Sequence, residues 1–118
     1  MLAPSFTAHA DLHRHHVAVA VHGPLATAAH GDALLGACLP LPSTYGLIVN
    51  LSGITIITDT GVRALRELAK EVTNAGHRIA FVCAELLLRA DLLLADLDSS
   101  APLLDAEENA WALVGFAA

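Results

Sequence analysis

The run Gly46-Leu47-Ile48-Val49-Asn50-Leu51-Ser52-Gly53-Ile54-Thr55-Ile56-Ile57-Thr58-Asp59-Thr60-Gly61-Val62 decides how this chain is read. Residues 45–51 are almost unbroken apolar side chains over the length of one strand, a pattern that belongs to a strand covered on both faces of a sheet. Ser52-Gly53 reads as a turn and Ile54 to Ile57 as a second, short β-prone piece. Thr58-Asp59-Thr60-Gly61 then opens a helix. Val62, Leu65, Leu68, Ala69 and Val72 repeat on one side of it and Arg63, Arg66, Glu67, Lys70 and Glu71 on the other, with Arg63 and Glu67 spaced to pair. Asn74-Ala75-Gly76 supplies the stop, where the chain must turn into a left-handed conformation.

Upstream, Phe6 to His22 predicts one or two strands that end at Gly23-Pro24. Ala28 to Leu39 predicts a short helix through Leu34, Leu35 and Cys38, closed by Pro40 and Pro42. Downstream, His77 to Cys83 reads as a strand, Glu85 to Leu94 as a very apolar helix and Ala101 to Leu104 as a short strand. Asp105 and Glu108 have the spacing of a capping box that starts a last helix through Trp111 and Val114. Strands alternating with helices make an α/β domain with helices covering a sheet. The leucines at 86, 87, 92 and 93 exceed what one face of a short helix buries; full burial is the first expectation, and contact with a partner the second.

The 118 residues suit one domain over residues 1–118. With 55% hydrophobic and 15% charged residues, the chain has too much apolar surface to stay disordered. Only 4% of residues are aromatic, which leaves few rings for stacking on sugars or unpaired bases. The net charge of −6 has the wrong sign for neutralising phosphates, so nucleic acid is not an expected partner. Cys38 and Cys83 stand alone, as buried small hydrophobes of a reducing compartment do. The N-terminal Met1-Leu2-Ala3-Pro4-Ser5-Phe6 lacks the parts of a signal peptide, and Leu86 to Ala95 is shorter than the roughly 20 residues of a membrane span. The expectation is a soluble, cytoplasmic protein without membrane insertion.

Seven histidines would carry the net charge to about +1 if all were protonated near the ordinary pKa of ~6.5. His13 and His15, if they lie in a strand, share a face on which a metal would fit. Recognisable Cys or carboxylate ligands are missing around His9, His13, His15, His16, His22 and His30, so a solvated histidine-rich surface is expected and no metal. Phosphate-loop and Gly-x-Ser-x-Gly patterns are also missing, so neither cofactor nor catalytic residue is assigned. At Thr58-Asp59-Thr60-Gly61, Asp59 or Thr60 is expected to cap the helix, and the unpaired N–H groups there also suit an anion.

The stretch from Gly46 to Val62, continued by Ala64-Leu65, resembles the STAS domain of bacterial anti-sigma factor antagonists and of sulfate-transporter tails. Members of that family read as an apolar strand, Asp or Asn-Leu, two turn residues, a short apolar stretch, Asp-Ser-Ser/Thr-Gly-Leu and a helix. Ala75-Gly76 before a strand, the leucine-rich helix and Asp105-Ala106-Glu107-Glu108-Asn109-Ala110 follow in the same order, while the first 40 residues match weakly. The resemblance implies a four- to five-stranded mixed β-sheet covered by about four α-helices. It also implies a non-enzymatic signalling module whose partner is an anti-sigma factor that is itself a serine kinase. In the family that kinase phosphorylates the Ser after the Asp, which weakens binding and so controls transcription.

This chain has Thr58 at the family's Asp, Asp59 at the phosphoacceptor Ser and Thr60 at the next Ser/Thr. Asp59 therefore brings one permanent negative charge where a phosphoserine brings roughly −1.5 to −2. Three outcomes stay open: a state locked as if phosphorylated, a partner that accepts the carboxylate, and phosphorylation of Thr58 or Thr60 instead. The implied partner surface is Thr58, Asp59, Thr60, Gly61, Val62, Arg63 and Arg66, with both arginines alternatively no more than a solvated helix face. A homodimer is also open, as is a structural or regulatory subunit of a stress-signalling or phospholipid-trafficking assembly. A small anionic ligand at the helix start is disfavoured by Asp59 itself.

Overall fold

A computed structural model describes residues 5–114, with the side chain of residue 112 left aside. The strands are β1 (Thr7–Leu12), β2 (His16–Leu25), β3 (Gly46–Ile57), β4 (Ile79–Val82) and β5 (Leu103–Leu104). The helices are α1 (Ala28–Cys38), α2 (Asp59–Asn74), α3 (Leu86–Leu94) and α4 (Glu107–Val114), with a 3-10 turn at Leu97–Ser99. The five strands lie side by side in chain order. β1 is antiparallel to β2, and every later pair is parallel. This is the mixed sheet with four helices that the resemblance implies. The Met1–Pro4 part of the N-terminal reading lies outside the described residues.

β3 is covered on both sides because alternate residues serve two cores. Leu47, Val49 and Leu51 join Val19, Val21, Leu25, Leu34, Leu65, Leu68, Val72 and Phe81 under α1 and α2. Ile48 points the other way and meets Ala80, Val82, Ala110 and Val114 under α4. Each such side chain, fully withdrawn from water, contributes about 1.5–3 kcal/mol, so the central strand anchors the domain.

Three local expectations are corrected. Ser52-Gly53 is no turn: β3 runs through it as one strand of 12 residues. Its alignment with β2 slips between Ala20 and His22 and again between Gly23 and Pro24. Asn50 Oδ1 accepts the Ser52 N–H at 3.0 Å, and Pro24 has no N–H to give to the ladder, so two bulges absorb the irregularity. Asp105 does not cap the Glu108 backbone; it accepts the Asn109 side-chain amide at 2.9 Å and faces Arg89 at 3.9 Å. Finally, α3 is not buried. Leu92 is fully enclosed, whereas Leu86, Leu87, Leu93 and Leu94 are exposed, because a nine-residue helix has one face to give to the core.

α2 matches its reading closely. Leu65, Leu68, Ala69 and Val72 are buried and Val62 is half-buried. Gly76 takes φ +87°, and the N–H groups of Ala75, Gly76 and His77 close the helix by donating to Glu71, Thr73 and Val72 carbonyls.

Candidate functional site

Because β2 and β3 are parallel, their C-terminal ends lie side by side, and each leads into a helix after one or two residues. The N-termini of α1 and α2 are thereby brought together, with Thr58 as the stitch between them. Its N–H donates to the Leu25 carbonyl at 3.3 Å. Its hydroxyl donates to the Ala26 carbonyl at 2.9 Å and accepts the Gly61 N–H at 3.3 Å. Thr58, in extended backbone geometry, is therefore the cap of α2, not Asp59 or Thr60 as expected. The decisive partner, Ala26, is 32 residues away in the chain.

α1 has a matching device. Thr27 Oγ1 accepts the His30 N–H at 3.2 Å, while His30 Nδ1 accepts the N–H groups of Ala26 and Thr27 at 3.1 and 3.3 Å. A neutral imidazole thus takes the place that Glu or Gln holds in the usual capping box. The signal was present as Thr27-x-x-His30, but a histidine there does not read as a cap.

Asp59 is the first residue of α2, and Thr60 follows; both are exposed, and their side chains make no hydrogen bond among the described residues. The helix start favours the Asp59 charge electrostatically. Gly61 is buried, and the room left by its missing side chain is filled by the Leu25 carbonyl; a Cβ would stand 2.9 Å from that carbonyl carbon. The remaining residues diverge. Thr60 and Arg63 line a groove of about 270 Å³ between α1 and α2, together with Thr27, Asp32, Leu35 and Glu67. Arg63 and Glu67 form no ion pair there, in keeping with how little an exposed pair gains. Arg66 turns the other way and donates to the Ala95 carbonyl at the end of α3.

The other titratable candidates lie elsewhere. His13 and His15 are in the turn between β1 and β2, not in a strand, and no cluster of three metal-ligating side chains forms among the described residues. His16 departs from the expected solvated surface: it is buried, stacked on His13 at 4.5 Å between ring centroids and 6.3 Å from Trp111, and its Nε2 has no hydrogen-bond partner. Burial, then the neighbouring His13 and more weakly His15, hold its pKa below the ordinary value, against an upward pull from Glu107. Cys38 and Cys83 are both buried, and burial pushes the Cys38 thiol up to about 12 and the Cys83 thiol upward. Both stay protonated and unsuited to nucleophilic work.

No protein-family model and no curated protein sequence matches the chain. Solved structures do. An anti-sigma factor antagonist from Mycobacterium paratuberculosis superposes with a TM-score of 0.78 at 22% identity, over 93% of this chain and 94% of that one. The anti-sigma factor antagonist SpoIIAA in its unphosphorylated form gives 0.57 at 15% identity, over 90% and 94%. The architecture is the STAS fold of anti-sigma factor antagonists. No helix among the described residues is long and apolar enough to cross a membrane.

Proposed function

We propose that this chain, as a single domain over residues 1–118, is a non-enzymatic regulatory module that binds an anti-sigma-factor, serine-kinase-like protein and thereby controls sigma-dependent transcription in the bacterial cytoplasm. One observation supports the reading: Asp59, which the resemblance aligns with the family's phosphoacceptor, is exposed at the mouth of α2, and its side chain makes no hydrogen bond among the described residues. Thr60 and Arg63, beside it on the groove between α1 and α2, extend the contact surface. Thr58 is the less suitable alternative acceptor, because its hydroxyl is already committed to Ala26 and Gly61. Thr60, exposed, is the better one.

The test compares wild type with Asp59→Ser as baits in a lysate of the source cell, with bound proteins identified by mass spectrometry and incubation with labelled ATP in parallel. Capture of a sigma-regulating kinase by Asp59→Ser alone means a wild-type protein held as if phosphorylated. Capture by both means that the pocket takes a carboxylate, and label lost in Thr60→Val then marks the alternative acceptor. Capture of no such kinase by either bait overturns the reading.

A second reading, a subunit of a larger assembly without a phosphorylation switch, is favoured by the exposed leucines of α3. Constant co-purification with one other protein, indifferent to ATP, would support it.

A further inference from the structure

α3 and the end of β3 together expose more apolar surface than isolated surface leucines account for. Ile56 is 60% exposed, Leu86 66%, Leu87 76% and Leu94 87%. Ile56, Ile57, Leu87 and Leu88 line a groove of about 420 Å³ between β3 and α3, and the charged side chains lining it are both carboxylates, Glu85 and Asp91. Arg89, the one basic residue between positions 85 and 98, lies 3.9 Å from Asp105. Arg66 reaches the Ala95 carbonyl at the far end of α3, away from the groove lining. A groove whose charged lining side chains are carboxylates, beside an exposed apolar helix face, marks a docking site for a partner of the opposite sign.

We propose that this groove and the leucine face beside it bind an amphipathic helix of a partner protein, apolar on one side and bearing Lys or Arg along the edges of its apolar stripe. Helix-in-groove recognition supplies the geometry, and the charge decides the occupant. A second copy of this chain would bring Glu85 and Asp91 of its own groove against the same two acids. An anionic membrane surface or a nucleic acid would be repelled by them. Ile56 and Ile57 immediately precede Thr58, so the occupant would lie next to the Asp59 site, yet its binding does not depend on phosphorylation or on the identity of residue 59.

The probes are two synthetic helical peptides of about 18 residues, long enough for five turns. One is built from Leu and Lys at amphipathic spacing and the other from Leu and Glu, and both are titrated calorimetrically into the full chain. The Leu/Lys peptide is expected to bind, to weaken with salt, and to lose roughly tenfold or more in affinity in Leu87→Ser. Asp91→Lys should shift preference toward the Leu/Glu peptide; both altered side chains are exposed, so circular dichroism should show an unchanged fold. Equal binding of the two peptides, or indifference to Leu87→Ser, overturns the proposal. So does a concentration-dependent dimer, or binding to phosphatidylglycerol vesicles, that Leu87→Ser abolishes.

Discussion

Two glycines in neighbouring helices should respond in opposite directions to the same added methyl group. Gly61 sits in the first turn of α2, where an alanine Cβ would stand 2.9 Å from the Leu25 carbonyl carbon and 3.1 Å from Ile57 Cγ1, with the Leu25 oxygen nearer still. Leu25 is fully buried and its carbonyl already holds the Thr58 N–H, so it has nowhere to retreat. The start of α2 must be displaced instead. Such overpacking costs about 1–3 kcal/mol, and loosening the two Thr58 bonds to Leu25 and Ala26 adds about 0.5–1.5 kcal/mol each, against a helix-propensity gain of at most about 1 kcal/mol. Gly61→Ala should therefore be about 1–5 kcal/mol less stable than wild type, which for a domain of this size lowers Tm by about 4–20 °C. Gly36, exposed in α1, has nothing within 4 Å of its would-be Cβ. Gly36→Ala should gain about 0.5–1 kcal/mol, raising Tm by about 2–4 °C. Urea and thermal unfolding followed by circular dichroism measure both. A Gly61→Ala protein as stable as Gly36→Ala would refute the tight junction, and with it the account of why Thr58 reaches Ala26.

Two further predictions concern the same junction and the histidine turn. Thr58→Val keeps the shape but removes the cap and the donor to Ala26, a loss of about 1–3 kcal/mol in urea unfolding, whereas Thr58→Ser should recover most of it. His16 has its pKa lowered in the folded state, so the unfolded chain takes up its proton first as the pH falls. Stability is then complete above the ordinary histidine pKa of ~6.5 and declines below it. His16→Phe should flatten Tm between about pH 6.5 and 5; an unchanged slope would place the acid sensitivity in another histidine.

What the sequence showed and what it hid divide along one line. The two-sided burial of residues 47–51, the stripe of α2 and the stop at Gly76 depend on neighbours a few positions away, and all were legible. Thr58 over Asp59 as the cap was not, since side-chain preferences at a helix start do not separate the two, and the deciding atom is the Ala26 carbonyl. The strand through Ser52-Gly53 was hidden for the same reason, because β2 beside it carries the pairing on, with His22 opposite Gly53 after the first slip. His30 was overlooked because its acceptor role appears only with the Ala26 and Thr27 N–H groups in place. Each miss except those on α3, α4 and the β1–β2 turn falls where β2, β3, α1 and α2 converge. There the fold constrains Thr58 by four hydrogen bonds and Gly61 by contact with Leu25, and leaves the Asp59 side chain without a hydrogen bond or ion pair among the described residues. Folding thus fixes Thr58 and Gly61 by contacts to β2, whereas the Asp59 side chain draws from the fold only the electrostatic favour of the helix start, which any acidic group at that position would share.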